Sequence, residues 1–339
     1  MTKCDQLLKP HLYSQLMLTA AALSACCASL GQTALAQAPG RFAVELTPQS
    51  FQISIDDHPF ANYVLDDHVI TRPYFANVHA PGGALATRRQ PPEPGRDLVD
   101  HPTFHPGIWL AFGDIGGADT WRLLAPVADP VVTEAATPGA GPLKFAMRFS
   151  YRDAKNADRK IGNEKTRYEI HVTPAGYLLL WDSTFTSDGE FYFGDQEEMG
   201  LGFRVATPLR AQRAAEGGVA GGNGEIVDAQ GRKNEKEVWG NSADWCDYSG
   251  VTDGQRVGMT LFCHPSNFRP SWFHARDRGL LVANPFGRAA FHKGEPSKVV
   301  VKPGDKLQLR YGVLIHASPE DAPTDLAAAY HDYVELTKD

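Results

Sequence analysis

The sequence predicts an all-β protein, a large antiparallel β-sandwich closed by one short C-terminal helix. Three observations carry this. The apolar runs are strand-length, and 32 glycines and 24 prolines punctuate the chain so that few long helices can build. Aromatic and β-branched residues fill those runs, while Gly, Pro, Asn and Asp bound them. Strand follows strand with no helical spacer, the pattern of antiparallel sheets packed face to face.

The first segment does not belong to that fold. Lys3 and Lys9 make a weakly positive start, Leu16 to Leu30 is an apolar run without charge, and Ala34-Leu35-Ala36 is a small-x-small cleavage pattern. Residues 1–36 therefore read as a secretory signal. The run is too short and too weakly apolar for a membrane span, which needs about 20 strongly apolar residues. Leu23-Ser24-Ala25-Cys26 also matches a lipobox, in which Cys26 would carry a lipid anchor and start the mature chain. Either form exports the protein, to the periplasm or as an outer-membrane lipoprotein.

Residues 41–339 are expected to form a single β domain. Its strand candidates are Phe42-Ala-Val-Glu-Leu, Gln52-Ile-Ser-Ile, Phe145 to Tyr151, Tyr168 to Val172 and Gly176 to Phe185. Val257 to Phe262, Lys298 to Val301 and Leu307 to His316 follow with the same character. The helix is terminal, Pro323 to Val334, with Thr324 as its cap and Leu326, Tyr330 and Tyr333 as one buried stripe. Gly217 to Gly224 reads as a loose surface loop rather than a phosphate cradle, because no strand-to-helix context or GK[ST] accompanies it. No solenoid period and no Pro/Ser-rich linker divides the chain.

The formal net charge is −7, one unit more negative once Lys3, Lys9 and Asp5 leave with the signal. Nucleic acid is excluded as a partner, since phosphate backbones need a basic surface. Three of the five cysteines, Cys4, Cys26 and Cys27, lie in the signal. Cys246 and Cys263 remain, as two buried thiols or as one disulfide in an oxidising compartment.

Three segments are dense in His, Trp, Arg and carboxylate, with Gly and Pro holding tight turns. They are Arg72 to Trp121, Phe193 to Gly202, and Trp239 to Gly287. Such residues on loops of a rigid scaffold mark binding or catalysis. Glu198 is the candidate general acid or base, expected to have a raised pKa between Gly turns and aromatic strands, and Asp195 is the second carboxylate. Glu197 is adjacent to Glu198, so in a strand only one of them enters a site. His101 and His105 are candidate proton carriers. A metal set with His264 or His274 stays open beside core roles, although Pro102 and Pro106 disfavour a helix there. Trp239, Trp245 and Trp272 are either core or a stacking platform for a sugar face. Arg276 either holds a substrate carboxylate or pairs with neighbouring acids. A serine or cysteine nucleophile has no support, for GxSxG and CxxC are both missing.

These segments together resemble a known family. The front half is Arg72-Pro-Tyr-Phe, Pro81-Gly-Gly with Thr87-Arg-Arg, Asp100-His-Pro with His105-x-Gly-Ile-Trp, and Gly113-Asp with Asp119-x-Trp. The back half is Asp195-x-x-Glu198-x-x-Leu-Gly, Trp239-Gly, Ala243-x-Trp245, His264-Pro-x-Asn267, Trp272-x-His274-x-Arg276 and Asn284-Pro-Phe-Gly. Over residues 45 to 335 the chain resembles the secreted bacterial family labelled PmoA, a domain of unknown function. The resemblance implies a sandwich shaped like galactose mutarotases and polysaccharide-lyase domains, and a place among sugar-degradation proteins. Relatives often carry a further His after the first His-Pro; this chain has Thr103-Phe104-His105 instead, which thins a metal set.

The expectation is an exported carbohydrate-active protein, an enzyme acting on a glycoside or modified sugar by hydrolysis, elimination or epimerisation. Its alternatives are a non-catalytic sugar binder and a metal-dependent oxygenase. A membrane methane oxygenase subunit would need several spans of about 20 apolar residues, and beyond the signal there are none. Glu198, His101, His105 and Asp195 are the catalytic candidates. Arg72, Trp239, Trp245, His264, Asn267, Trp272, His274, Arg276 and Asn284 are expected to hold a small-molecule or oligosaccharide substrate, with no cofactor and no metal.

Overall fold

The computed structural model describes residues 40–156 and 158–338. The signal, its cleavage pattern and the lipobox Cys26 lie outside the described residues. Two large antiparallel sheets dominate. The nine-stranded sheet runs Trp272–Arg276, Leu280–Asn284, Met199–Arg204, Ile108–Phe112, Tyr74–Ala76, His58–Val64, Ser50–Ile55, Arg41–Leu46 and Gly139–Ala140. The eight-stranded sheet runs Glu225–Asp228, Trp245–Thr252, Gln255–Cys263, Leu307–Pro319, Gly176–Thr186, Lys160–Thr173, Leu143–Arg152 and Val127–Glu134. Phe191–Phe193 and Val299–Val301 pair as a separate ribbon.

Alternation sets which side chains meet between the sheets. Phe51, Tyr63 and Phe75 come from one inner face, and Phe145, Tyr168 and Trp181 from the other. Their rings touch across the gap, Phe51 to Phe145 at 5.4 Å, Tyr63 to Tyr168 at 5.1 Å and Phe75 to Trp181 at 5.9 Å. Fully burying one such ring is worth about 1.5–3 kcal/mol, so this aromatic layer is the main adhesive between the sheets.

The outer faces differ. On the eight-stranded sheet the helix Leu326–Leu336 covers Leu178, Phe262 and Leu314 with Ala329 and Tyr333. Asp325, not Thr324, caps it, accepting from the Ala328 N–H at 3.0 Å. On the nine-stranded sheet, Tyr74, Trp109, Ala111, Leu280 and Val282 build a second apolar cluster under Ile70 and Trp121. Ile108–Phe112 is thus buried on both faces, and loops rather than a helix lie over it.

Of the two readings left open for the cysteines, the buried thiols hold. Cys246 and Cys263 are both free and buried. Cys246 faces Leu261 across the strand pair, so Cys263 is its diagonal neighbour. Diagonal Cα atoms lie roughly 7–8 Å apart, beyond the span of an unstrained disulfide. The Gly217–Gly224 stretch is an open surface turn at Gly217 and Gly218, but its second half packs closely: a Cβ on Gly222 or Gly224 would sit 2.1 or 1.9 Å from the carbonyl oxygens of Arg210 or Leu209. Only glycine allows that approach of backbone to backbone.

Candidate active site

A cleft of about 230 Å3 opens on the outer face of the nine-stranded sheet, lined by residues from the three dense segments. Two loops, the edge strand Trp272–Arg276 and the ends of its neighbours Leu280–Asn284 and Met199–Arg204 supply it.

The first wall is the 97–107 loop, pinned from below by arginines. Arg88 is 1% exposed and donates to the carbonyls of Leu98, Asp100, His101 and His105. Arg72, 3% exposed, donates to the carbonyls of Phe104, Thr120 and Trp121 and lies 5.9 Å over the Trp109 ring. A buried guanidinium with several carbonyl acceptors holds irregular backbone as a ladder would hold a strand. His101 sits in the left-handed region, φ 47°, and its ring stacks on His105 at 4.9 Å. His105 in turn stacks on Trp109 at 5.2 Å and meets Trp121 edge-on.

His105 has a defined tautomer. Arg204 Nη1, which can only donate, lies 3.3 Å from His105 Nδ1, so Nδ1 accepts. Burial first, then the charges of Arg204 and its neighbours, holds the His105 pKa well below the usual value. The ring is therefore neutral at pH 7 and carries its proton on Nε2. That atom has no hydrogen-bond partner among the described residues and belongs to a residue lining the cleft. Arg204 also grips Asp100 at 2.8 Å. Burial works to raise the Asp100 pKa, but Arg204, His101 and Arg88 hold it below the ordinary carboxylate range.

The second wall comes from residues 194–198 and the edge strand. Phe273 and Ala275 point into the core, so Trp272, His274 and Arg276 stand on the outer face. Glu197 Oε1 collects the Trp239 Nε1–H at 2.6 Å, His274 Nε2 at 3.2 Å and the Arg276 guanidinium. Burial favours the neutral acid, yet His274, Trp239 and Arg276 outweigh it and keep Glu197 ionised. His274 is pulled to about 4, chiefly by burial. It is thus neutral, donates from Nε2, and leaves a buried Nδ1 without a partner. Glu198 also lines the cleft, and Arg122, itself bound to Asp119, contacts its carboxylate.

The structure brings together His101, His105, Glu198, His274 and Arg276, with Trp239 bound to Glu197 at the rim. It places the other candidates elsewhere. Asp195, expected as a catalytic acid, spends both oxygens on the main-chain N–H groups of Ala289, Ala290 and Ser297. Asn284 is fully buried and clamps the Gln196 and Glu197 carbonyls, which positions Glu197 but offers nothing to a ligand. Arg72 is walled behind Trp109 by its own carbonyl partners. Trp245 packs beneath the C-terminal helix. His264 bonds Ser266 and edges Tyr333 there, while Asn267 brackets the Arg310 backbone. Trp272 faces Phe291, beyond the lining of the cleft.

Glu197 and Glu198 also correct the opposite-faces argument: they form a bend before the Met199–Arg204 strand, and both line the cleft. Arg204 and Arg278 carry no sequence expectation, and Asp100 enters only as part of the Asp100-His-Pro motif. Arg204 stands in an apolar, Gly-rich strand, and that lone charge was the available signal. Among the described residues no group of three His, Cys, Asp or Glu is arranged to hold a metal ion. No described helix is long and apolar enough to cross a membrane.

A family model, described as a family of unknown function (DUF6807), matches residues 50–331. The chain belongs to the DUF6807 family. Every cleft residue falls inside the matched span of this DUF6807 chain. This match does not show the PmoA label that the motifs suggested. No curated protein matches in sequence. Among solved structures, the chain is similar to a GalM/aldose epimerase homologue from C. elegans, with 9% identity, TM-score 0.36, and coverage of 83% of this chain and 99% of that one. It is similar to a galactose mutarotase related enzyme from Lactobacillus acidophilus at 9% identity and TM-score 0.35, over 82% and 98% of the two chains. A 4-alpha-glucanotransferase from Thermococcus litoralis is similar at 10% identity and TM-score 0.32, over 82% of this chain and only 39% of that one.

Proposed function

We propose that the protein is a carbohydrate-acting enzyme whose cleft takes one sugar ring, with Glu198 and His105 as the proton-transferring pair. The observation that carries this reading is that both line one cleft, His105 being a neutral ring whose Nε2–H is bonded to none of the described residues. A neutral imidazole N–H can polarise a sugar oxygen while a carboxylate takes a proton from the adjacent carbon, the division of labour of enolising sites. The proton then returns on either face, which epimerises the carbon, or a leaving group departs from the next carbon, which is elimination. Hydrolysis is the weaker reading. It needs a carboxylic acid held protonated, and Glu197 and Asp100 are both held ionised.

Charge and size support a sugar. Each cleft carboxylate faces a guanidinium: Asp100 with Arg204, Glu197 with Arg276, Glu198 with Arg122. Such a balanced set of planar donors and acceptors suits neighbouring hydroxyls better than a bare ion. The volume, about 230 Å3, lies below the roughly 300–1,000 Å3 of sites for larger ligands, so a single ring fits and an oligosaccharide does not. Proton NMR in D2O with a panel of hexoses, keto-sugars and uronates tests this. The expected result is solvent deuterium entering one C–H position, and Glu198→Gln abolishing that exchange while the melting temperature holds. Exchange that survives Glu198→Gln, or none with any sugar, sinks the reading.

Action outside the cytoplasm is part of the proposal and rests on the Leu16–Leu30 run and its flanks. N-terminal sequencing of chain recovered from a bacterial envelope fraction should begin at Gln37, or at a lipidated Cys26.

A further inference from the structure

His101 and His105 line the first wall of the cleft as two stacked rings, 4.9 Å apart between centroids and 21° off parallel. Both turn their Nδ1 atoms to one ion pair. Arg204 reaches Asp100 Oδ1 at 2.8 Å and His105 Nδ1 at 3.3 Å, while Asp100 Oδ2 lies 3.1 Å from His101 Nδ1. The two ends of that pair have opposite chemistry. A guanidinium only donates, so His105 accepts at Nδ1 and keeps its proton on Nε2. An ionised carboxylate only accepts, and against burial Arg204, His101 and Arg88 hold Asp100 in that form. His101 therefore donates from Nδ1, and its neutral ring carries a lone pair on Nε2. One ion pair thus sets two stacked imidazoles in opposite tautomers, a donor beside an acceptor. Neither Nε2 has a hydrogen-bond partner among the described residues.

The backbone holds His101 there at a cost. Its φ of 47° lies in the left-handed region, uncommon outside glycine. Its carbonyl is fixed by Arg88 Nη2 at 3.1 Å and by the His105 N–H at 3.2 Å. Such a conformation persists where the surroundings over-determine it, and it gathers at sites that present a side chain. Asp100 is mostly buried and His101 is half exposed, so the ring stands at the mouth of the cleft with its orienting group beneath it.

We propose that His101 and His105 act as one acceptor–donor clamp on two neighbouring substrate oxygens. His105 donates from Nε2 to a carbonyl, and the hydroxyl on the adjacent ring carbon donates to His101 Nε2. The inference rests on the Glu198–His105 reading and names its substrate class: a sugar oxidised to a ketone at one ring carbon, with a free hydroxyl on the next. A carbonyl acidifies the adjacent C–H for removal by a carboxylate, as that reading requires. The clamp adds what the neighbouring carbon has to carry. Hydrogen bonds of about 2.7–3.2 Å from two atoms on stacked rings can converge on oxygens of adjacent carbons. A site built to bind a hydroxyl rejects the analogue that lacks it.

Two measurements test the clamp. Heteronuclear NMR of the histidine ring nitrogens in the wild-type protein should show His105 protonated on Nε2 and His101 on Nδ1; one shared tautomer overturns the clamp. Calorimetric titration then compares three single-ring probes: myo-inosose, a cyclic polyol ketone; its analogue with hydrogen in place of both hydroxyls flanking the ketone; and myo-inositol, which has no ketone. The inosose should bind about tenfold tighter than either, the factor expected when one partner of a hydrogen bond is left unpaired. In His101→Asn the inosose and its deoxy analogue should bind alike, while the melting temperature holds or rises, because asparagine visits the left-handed backbone readily. A margin between those two that is missing in the wild type, or that survives in His101→Asn, overturns the clamp and leaves the Glu198–His105 reading standing. Inositol binding as tightly as inosose overturns the ketone. Binding by none of the three overturns the clamp, and deuterium exchange across the sugar panel decides the Glu198–His105 reading separately.

Discussion

Glu197, on the outer face of the nine-stranded sheet, and Glu164, between the two sheets, are the same residue type, and the protein treats them in opposite ways. Glu197 stands on the outer face among His274, Trp239 and Arg276, and those partners hold its pKa down against partial burial. Glu164 lies between the sheets, 3% exposed, and its partners are hydroxyls alone: Tyr151 at 2.7 Å, Thr166 at 2.6 Å and Ser183 at 2.5 Å. Burial wins there and raises its pKa. Hydrogen-bond count does not separate the two, since each accepts from about three donors. A cation does: only a compensating charge offsets the loss of hydration in a low-dielectric interior. The cleft therefore concentrates fixed charge, while the core carboxylate works as a polar knot.

Removing that knot should give the largest effect. Glu164→Ala strands three buried hydroxyls and opens a cavity, so urea unfolding should show a loss of about 3 kcal/mol or more. Glu164→Gln, which keeps the acceptor oxygen, should cost far less. Equal losses would mean that Glu164 is a space-filler, and the comparison would collapse.

The pH response should separate the two faces next. His274 has a folded pKa depressed to about 4 from an ordinary 6.5. Its contribution is present above pH 6.5 and is lost as pH falls from there toward 4. Glu164 has a raised pKa, so its contribution is greatest at acid pH and is lost as pH rises through the folded value. Melting temperatures across pH 4 to 8 should show the acid-side loss flattened in His274→Asn and kept in Glu164→Gln. An unchanged acid limb in His274→Asn removes His274 as its cause.

Glu197→Gln should be milder for stability, about 1 kcal/mol, because solvent screens a half-exposed pair. It should nonetheless weaken sugar binding, since Arg276 and His274 lose their common anchor. The smallest effect on the cleft belongs to Trp245→Ala. That ring packs under the C-terminal helix, so hexose affinity should match wild type although the melting temperature falls. A loss of affinity would reopen Trp245 as a ligand residue.

Much of the site was legible as clusters, less so as roles. Residue type and spacing located His101, His105, Glu198, His274 and Arg276, which the fold brings to one cleft. The same signals also marked Asp195, Asn284, Asn267 and Arg72, whose polar groups are consumed by backbone. A carboxylate that caps a turn and one that meets a ligand look alike in sequence, because the difference lies in which N–H groups approach. Reading the dense segments as loops also missed that Ile108–Phe112, Met199–Arg204 and Trp272–Arg276 are strands. In Ile108–Phe112 and Met199–Arg204 the residues are buried on both faces, so period-two alternation fades, whereas Trp272–Arg276 alternates but is only five residues long.

The sequence by itself determined the all-β class, five strands of the eight-stranded sheet, the terminal helix and the three segments that supply most of the cleft lining. Those properties follow from local patterning, which a linear chain displays directly. Only the tertiary structure decided that Glu197 is ionised, that His105 is neutral with its proton on Nε2, and that Cys246 and Cys263 lie diagonal. Each of these depends on distances between residues far apart in the chain, and on burial, which sets how strongly those distances count.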